Sequence, residues 1–301
     1  MGAEKNINTL LPSLGKFLLL LGFCSTLVVC SEEEVLISEN DIINYDLKVS
    51  SFNIRFDNPG DDENRWDNRK QNIVLFLESE NLDIIGMQEA LVHQKKFLDD
   101  QLRDYKSVGI GREDGLTAGE FAPIYYKKEL FTLLDSGTFW LSETPQSPSI
   151  GWDAVLERIC TYAYLQDNRN DREIHFYNTH FDHVGSQARQ NSAQLILDSI
   201  QANSADQWVV LAGDLNTQPG SGPYDVIVEG GLEDSYNSKV QFGPVGTFNG
   251  FNTEGSFDRR IDFVFMNGFS SESYFNNDLT VNGNFISDHF PVISVLEYRP
   301  K

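Results

Sequence analysis

The sequence predicts a single mixed α/β domain over residues 47–301. Short apolar runs of strand length alternate with helical stretches throughout that region. At 301 residues, 40% hydrophobic and 23% charged, the chain has the length and composition of one large folded unit with ample core. After residue 46 no repeat, low-complexity tract or second linker interrupts it.

The first thirty residues stand apart from that domain. Lys5 and Lys16 precede the apolar run Phe17–Cys30, and Ser31-Glu32-Glu33-Glu34 ends it. Those 14 residues are too few to cross a bilayer core, which takes about 20, but they suit the apolar region of an export signal. Residues 1–30 are therefore expected to be a signal segment, and residues 31–46 a polar tether. Leu27-Val28-Val29-Cys30 resembles a lipoprotein acylation site, although Val29 stands where a small residue is usual. A lipid anchor at Cys30, and a cell-surface or outer-membrane location, are expected ahead of free secretion. With processing there, Cys160 alone remains in the folded domain, which suits an oxidising exterior.

Each element of the domain has its own signal. Leu47–Ile54 alternates like a half-buried strand. Asp67 is placed to cap a helix reaching Glu80, with Ile73, Phe76 and Leu77 on one face. Leu82–Gln88 reads as a buried strand leading into Glu89. Ser186–Ser199 predicts a helix that turns Ala193, Ile196, Leu197 and Ile200 inward. Further strands are predicted at Ile174–Thr179, Trp208–Ala212, Ile261–Phe265 and Pro291–Glu297.

Polar residues collect where these apolar strands end. Asn53 follows Phe52, Glu89 follows Gln88, and His180 follows Thr179. Asp214 and Asn216 follow Val209–Gly213, and Asp288-His289 precedes the last strand. In an α/β scaffold, strand ends are where side chains from distant sequence positions converge. Asn53, Glu89, Asp214, Asn216 and Asp288 are hard oxygen donors suited to Mg²⁺ or Mn²⁺. His180, His289 and Asp262 add groups that move protons near neutral pH. Asp262 sits among Ile261, Phe263 and Val264, so its carboxylate needs a buried partner. Singly, each of these residues is an ordinary turn or cap; jointly they call for a site.

Six segments carry the pattern: Ser51-Phe52-Asn53-Ile54, Gly86-Met87-Gln88-Glu89, Asn178-Thr179-His180, Gly213-Asp214-Leu215-Asn216, Arg260-Ile261-Asp262-Phe263-Val264 and Ser287-Asp288-His289-Phe290-Pro291-Val292. In that order they resemble the motifs of the endonuclease/exonuclease/phosphatase family, the DNase I-like metal-dependent phosphoesterases. The resemblance implies a four-layer sandwich of two mixed β-sheets flanked by helices, with the site at one end. It implies Glu89 as the main metal ligand, with Asn53 and Asp288 around the same ion or its waters. His180 would bind the scissile phosphate, while Asp214 and Asn216 would orient the attacking water and a phosphoryl oxygen. Asp262 would fix the tautomer of His289, and either His289 or Asp214 would be the general base.

Charge narrows the substrate. With 23 basic against 45 acidic side chains the net charge is −22, and no basic groove or tail is visible. A sequence-tolerant binder of nucleic-acid backbone is disfavoured. A phosphorylated small molecule, such as a sugar phosphate or nucleotide, fits better than nucleic acid, with an extracellular nuclease as the alternative. Pro59-Gly60 and Trp66 predict a loop over the site. Arg55, Arg69, Arg158 and His183 are either substrate contacts or partners of nearby surface acids. Two rivals from other classes remain: a glycan hydrolase pairing Glu89 with Asp214, or a surface glycan-binding module. Membrane contact is expected only through Cys30, and the protein is expected to be a monomer.

Overall fold

The computed structural model describes residues 46–300, so the expected signal segment, Cys30 and nearly all of the tether lie outside the described residues. The chain opens with β1 (Leu47–Asn53), α1 (Trp66–Glu80), β2 (Ile84–Gln88) and α2 (Val92–Gln101). It continues through β3 (Tyr105–Val108), β4 (Ile124–Lys127), β5 (Phe131–Trp140), β6 (Ile159–Asp167) and β7 (Arg172–His180). Next come α3 (Ser186–Ser204), β8 (Trp208–Asp214), α4 (Gly222–Glu229), β9 (Glu233–Asp234) and β10 (Val240–Phe242). β11 (Asp262–Asn267), β12 (Phe269–Asn276), the short β13 (Thr280–Val281) and β14 (Asn284–Phe285), and β15 (Val292–Tyr298) complete the order.

Two mixed sheets result. The first has seven strands in the order β10-β12-β15-β1-β2-β4-β3, and the second has six in the order β5-β6-β7-β8-β11-β9. Leu47, Val49, Ile84, Phe176, Val210, Val264 and Leu296 pack in the cluster between them. Phe52, Ile73, Phe76, Leu77 and Met87 form a second cluster under α1 and α2. Ala193, Ile196, Leu197, Leu211, Phe263 and Phe265 form a third with α3 and α4. These three clusters join four layers, α1 and α2, the two sheets, and α3 and α4, and each fully buried Leu, Ile, Val or Phe contributes about 1.5–3 kcal/mol to holding them together.

Register brings the six motifs to one edge. β1 runs parallel to β2, pairing Asn53 with Gln88, and β7 runs parallel to β8, pairing His180 with Asp214. β11 and β15 run the other way, so Asp262 stands opposite Asp214 and Val292 opposite Ser51. Behind that edge a polar bridge joins the sheets. Gln88 Nε2 donates to Asn178 Oδ1 at 2.7 Å, and Asn178 Nδ2 donates to the carbonyls of Met87 and Pro123. Gly86 makes the approach possible, because a Cβ there would lie 2.7 Å from Asn178 Oδ1.

Some elements differ from the sequence reading. β1 is buried along both faces, since α1 covers the side that faces away from the second sheet. α1 begins at Trp66 with no side-chain cap, and Asp67 lies in its first turn, paired with Lys70. Trp66 is core against Phe97 and not part of a loop over the site. α3 continues five residues past Ser199 to Ser204.

Candidate active site

The backbone bends sharply where strands meet the site. Arg55, Glu89 and Asn216 have φ values of 59°, 65° and 46°, in the left-handed region that a side chain disfavours. Each follows the end of β1, β2 or β8 by one or two residues. Such strain costs about 1–3 kcal/mol per residue and persists only where the surroundings impose it. It turns the end of each strand into the space between the sheets.

Glu89, His180 and Asp214 bring one ligand-capable atom each to within 4.8 Å of one another, and Asp214, Asp262 and His289 form a second such group. Glu89, His180, Asp214, Asn216, Asp288 and His289 line one cleft of about 430 Å³, and Asp262 lies buried behind His289. The amide nitrogen of Asn53 donates to Glu89 at 2.9 Å and to Asp214 at 3.0 Å. Its oxygen accepts the Arg55 N–H. Asn53 therefore clamps the two carboxylates here instead of turning its oxygen toward them. Glu89 is held further by the Phe56 N–H at 3.0 Å.

Burial sets the protonation of the carboxylates. Asp214 is pushed up to about 7, by burial first and the Asp262 charge second. Asp288 is pushed up to about 6, by burial with the Glu89 charge adding to it. Close-packed acids whose ionised forms are disfavoured are a set that a hard divalent cation would relieve. The residues present thus fit Mg²⁺ or Mn²⁺, with Glu89 and Asp288 as oxygen donors and Asp214 beside them.

The two histidines are driven in opposite directions. Burial, reinforced by the Arg158 and Arg112 charges, pulls His180 well below the usual histidine range. Asn216 Nδ2 lies 3.0 Å from His180 Nε2 and also donates to the Phe181 carbonyl. A neutral His180 accepting at Nε2 carries its proton on Nδ1. For His289, burial works downward, but Asp262 and Asp214 outweigh it and hold the ring protonated well above the usual range. Asp262 Oδ2 stands 2.8 Å from His289 Nδ1, the partner its buried position demands. His289 Nε2 faces Asp214 at 3.8 Å.

The arginines sort differently from one another. Arg55 lines the cleft but binds Asp61 through two nitrogens and reaches Asp288 at 3.6 Å. Arg158 and His183 also line the cleft, with Arg158 Nη2 3.0 Å from His183 Nδ1 and its Nε on Asp182. Arg69, expected as a possible substrate contact, is only 3% exposed and donates to the carbonyls of Asn64, Ile54, Ile286 and Arg55. It staples the segment after β1 to the turn before Asp288.

Glu120 and Arg112 escaped the sequence reading. Glu120 lines the cleft, binds Arg112 through both oxygens at 2.7 and 3.0 Å, and lies 3.8 Å from His180 Nδ1. The only signal for it was an acid flanked by Gly119 and Phe121-Ala122-Pro123.

A family profile described as endonuclease/exonuclease/phosphatase matches residues 50–289, which takes in the first five motifs and Ser287-Asp288-His289 of the sixth. The chain belongs to that family. Members of the endonuclease/exonuclease/phosphatase family are hydrolases of phosphoesters, typically dependent on divalent metal, and the sandwich described above is their DNase I-like fold. A family protein from Bacteroides vulgatus is 37% identical, with TM-score 0.82 over 85% of this chain and 100% of that one. A mannosyl-6-phosphatase from Bacteroides thetaiotaomicron is 34% identical, with TM-score 0.79 over 83% of this chain and 99% of that one. Among curated proteins, an uncharacterized protein of Acanthamoeba polyphaga mimivirus is 28% identical over 77% of this chain and 92% of its own length.

Proposed function

We propose that this family member is an exported, divalent-metal-dependent phosphatase that releases phosphate from a small, sugar-linked phosphomonoester. The observation that carries this reading is the cleft itself. At about 430 Å³ it is sized for a small molecule, and it sits on a chain of net charge −22. The similarity to a mannosyl-6-phosphatase over nearly its whole length supports a sugar-linked phosphate ahead of nucleic acid. β1 enters the sheet at Leu47, at the end of the strand away from Asn53 and the site. A chain tethered to a membrane through Cys30 would therefore enter the sandwich at the end opposite the cleft.

Glu89 and Asp288, with Asn53 clamping Glu89, would hold a divalent ion, which would neutralise charge on the phosphoryl oxygens. Asp214, with a proton affinity near neutrality, accepts the proton of the attacking water. His289, kept protonated through Asp262, donates to the phosphoryl group as charge develops there. Asn216 and neutral His180 orient a second phosphoryl oxygen, and Glu120 fixes the far side of the His180 ring. His183 meets the leaving group from the cleft wall, and Arg158, committed to Asp182, holds the His183 ring. Nothing in this arrangement forms a covalent intermediate with the enzyme.

The test is hydrolysis by the purified chain of sugar phosphates, nucleotides, RNA, plasmid DNA and phospholipids, each with Mg²⁺, Mn²⁺ or EDTA. EDTA-sensitive phosphate release from the sugar phosphates is expected. Cleavage of DNA or RNA with intact sugar phosphates would convert the reading to a nuclease. Turnover of an aryl glycoside in EDTA would overturn it.

A further inference from the structure

We propose that Arg259 is a specificity-determining residue that binds the substrate's phosphate group at the lip of the cleft. The inference rests on the phosphoesterase reading and adds to it a contact outside the six motifs.

Arg259 lines the same cleft as Asp288 and His289. It differs from the other cleft arginines in being uncommitted. Arg55 is spent on Asp61 and Arg158 on Asp182 and His183, whereas Arg259 is exposed and has no carboxylate partner among the described residues. Its guanidinium lies instead over the Phe248 ring, 4.8 Å from the centroid.

That shelf is built into the site. The Phe248 ring stands edge-on to His289 with centroids 5.1 Å apart, and the two residues form an isolated β-bridge. The Arg259 carbonyl accepts the N–H groups of both Thr247 and Phe248, at 2.9 and 3.2 Å. Thr247 is fixed in turn by its hydroxyl, which accepts the N–H groups of Ile261 and Asp262. Backbone, shelf and guanidinium are therefore registered to the catalytic pair Asp262–His289. An arginine lying on an aromatic face loses less freedom on binding an anion than a free one does, and its planar fork matches phosphate oxygens.

The electrostatics favour such a group. The cleft carries four carboxylates, Glu89, Glu120, Asp214 and Asp288, on a chain of net charge −22. Arg55, Arg158 and His289 are each paired with an acid, so Arg259 is the cleft cation whose charge no acid cancels and the one free to meet an incoming phosphate dianion. Its attraction acts on binding more than on the chemical step, so its loss should appear in KM and in phosphate affinity.

The experiment titrates inorganic phosphate into the full chain with saturating Mg²⁺, for wild type, Arg259→Met and Arg259→Lys, by calorimetry. Methionine keeps Phe248 covered, and lysine keeps the charge without the fork. Phosphate Kd is expected to rise about 10-fold in R259M and about 3-fold in R259K. KM for the hydrolysed ester should rise in parallel, with kcat within about 2-fold of wild type. Equal phosphate affinity in all three proteins overturns the assignment, even where the wild type is an active phosphatase. Phosphate binding that depends on Arg259, in a chain that hydrolyses no ester, upholds the assignment and sinks the functional reading instead.

Discussion

Replacing Asp288 with asparagine should make the metal-free protein more stable and remove its response to metal. Asp288 is buried in the cleft beside Glu89, and burial, with the Glu89 charge adding to it, raises its carboxyl from 3.8 to about 6. Its compensating contacts are thin: Arg55 Nη1 at 3.6 Å and the Ser287 hydroxyl at 3.4 Å. Because the folded value lies above the unfolded one, the folded state binds the proton more tightly. Stability is then fully present at low pH and is lost as pH rises from about 4 to about 6. Each tenfold change in proton affinity is worth about 1.4 kcal/mol, so keeping Asp288 ionised above pH 7 costs the fold about 3 kcal/mol. Asparagine carries no such charge and fits the same space.

For a domain of this size, about 3 kcal/mol corresponds to a melting shift of roughly 6–12 °C. The assay is thermal unfolding of wild type and Asp288→Asn, in EDTA at pH 4.5 and pH 8 and with Mg²⁺ at pH 8. In EDTA at pH 8 the variant should melt higher by about that interval, and at pH 4.5 the gap should close. Mg²⁺ at 100 times its Kd should raise the wild type by about 2.7 kcal/mol, and should leave the variant nearly unmoved. A variant melting at or below wild type at pH 8 in EDTA would refute the idea that these acids repel one another without a cation.

Further expectations concern roles already assigned. His289→Gln should lower kcat about 10²–10⁴-fold while keeping the Mg²⁺-induced melting shift, measured on the same samples. The pH–rate profile should rise through about 7 as Asp214 ionises and fall at higher pH as His289 loses its proton; a flat profile from pH 5 to 8 contradicts Asp214 as base. Arg69→Met strands the carbonyls of Ile54 and Ile286 in the interior. At about 1–3 kcal/mol per unsatisfied group it should lower the denaturant midpoint markedly, whereas an unchanged midpoint and a raised KM would return Arg69 to the substrate. Gly86→Ala should also destabilise, because its Cβ would press on Asn178, and circular dichroism melting reads that directly.

The sequence made most of the catalytic edge legible because of how a sandwich is built. Where a buried strand such as Trp208–Asp214 ends, polar residues stop being excluded, and a long apolar run marks that point in one dimension. Asp262 was visible for the opposite reason, as a charge that the surrounding apolar residues do not tolerate without a partner. Glu120 and Arg112 were illegible because Gly109–Pro123 has no period to read, and their pairing depends on a backbone path set by neighbouring strands. The arginines misled by composition. Arg69 belongs to the same polar segment as Arg55, yet lies on α1, where the segment after β1 leaves carbonyls needing donors. A guanidinium satisfies several carbonyls at once, so its burial follows from backbone geometry that no local pattern encodes.

Motif residues outside the chemistry keep company with those inside it for a physical reason. Glu89 and Asn216 sit in disfavoured backbone conformations, and Asp214 and Asp288 resist ionisation. Left to itself, that edge would relax by spreading the strands. The inter-sheet bridge from Gln88 to Asn178 opposes this directly behind Glu89 and His180, and Gly86 lets the sheets close to hydrogen-bonding distance there. On this view Gly86, Gln88 and Asn178 are positioning residues for the site: they hold apart nothing and touch no substrate, but they prevent the mutual repulsion of the carboxylates from being relieved by movement. A bound cation would relieve it, and the strain stored at the strand ends would then be part of the affinity for one.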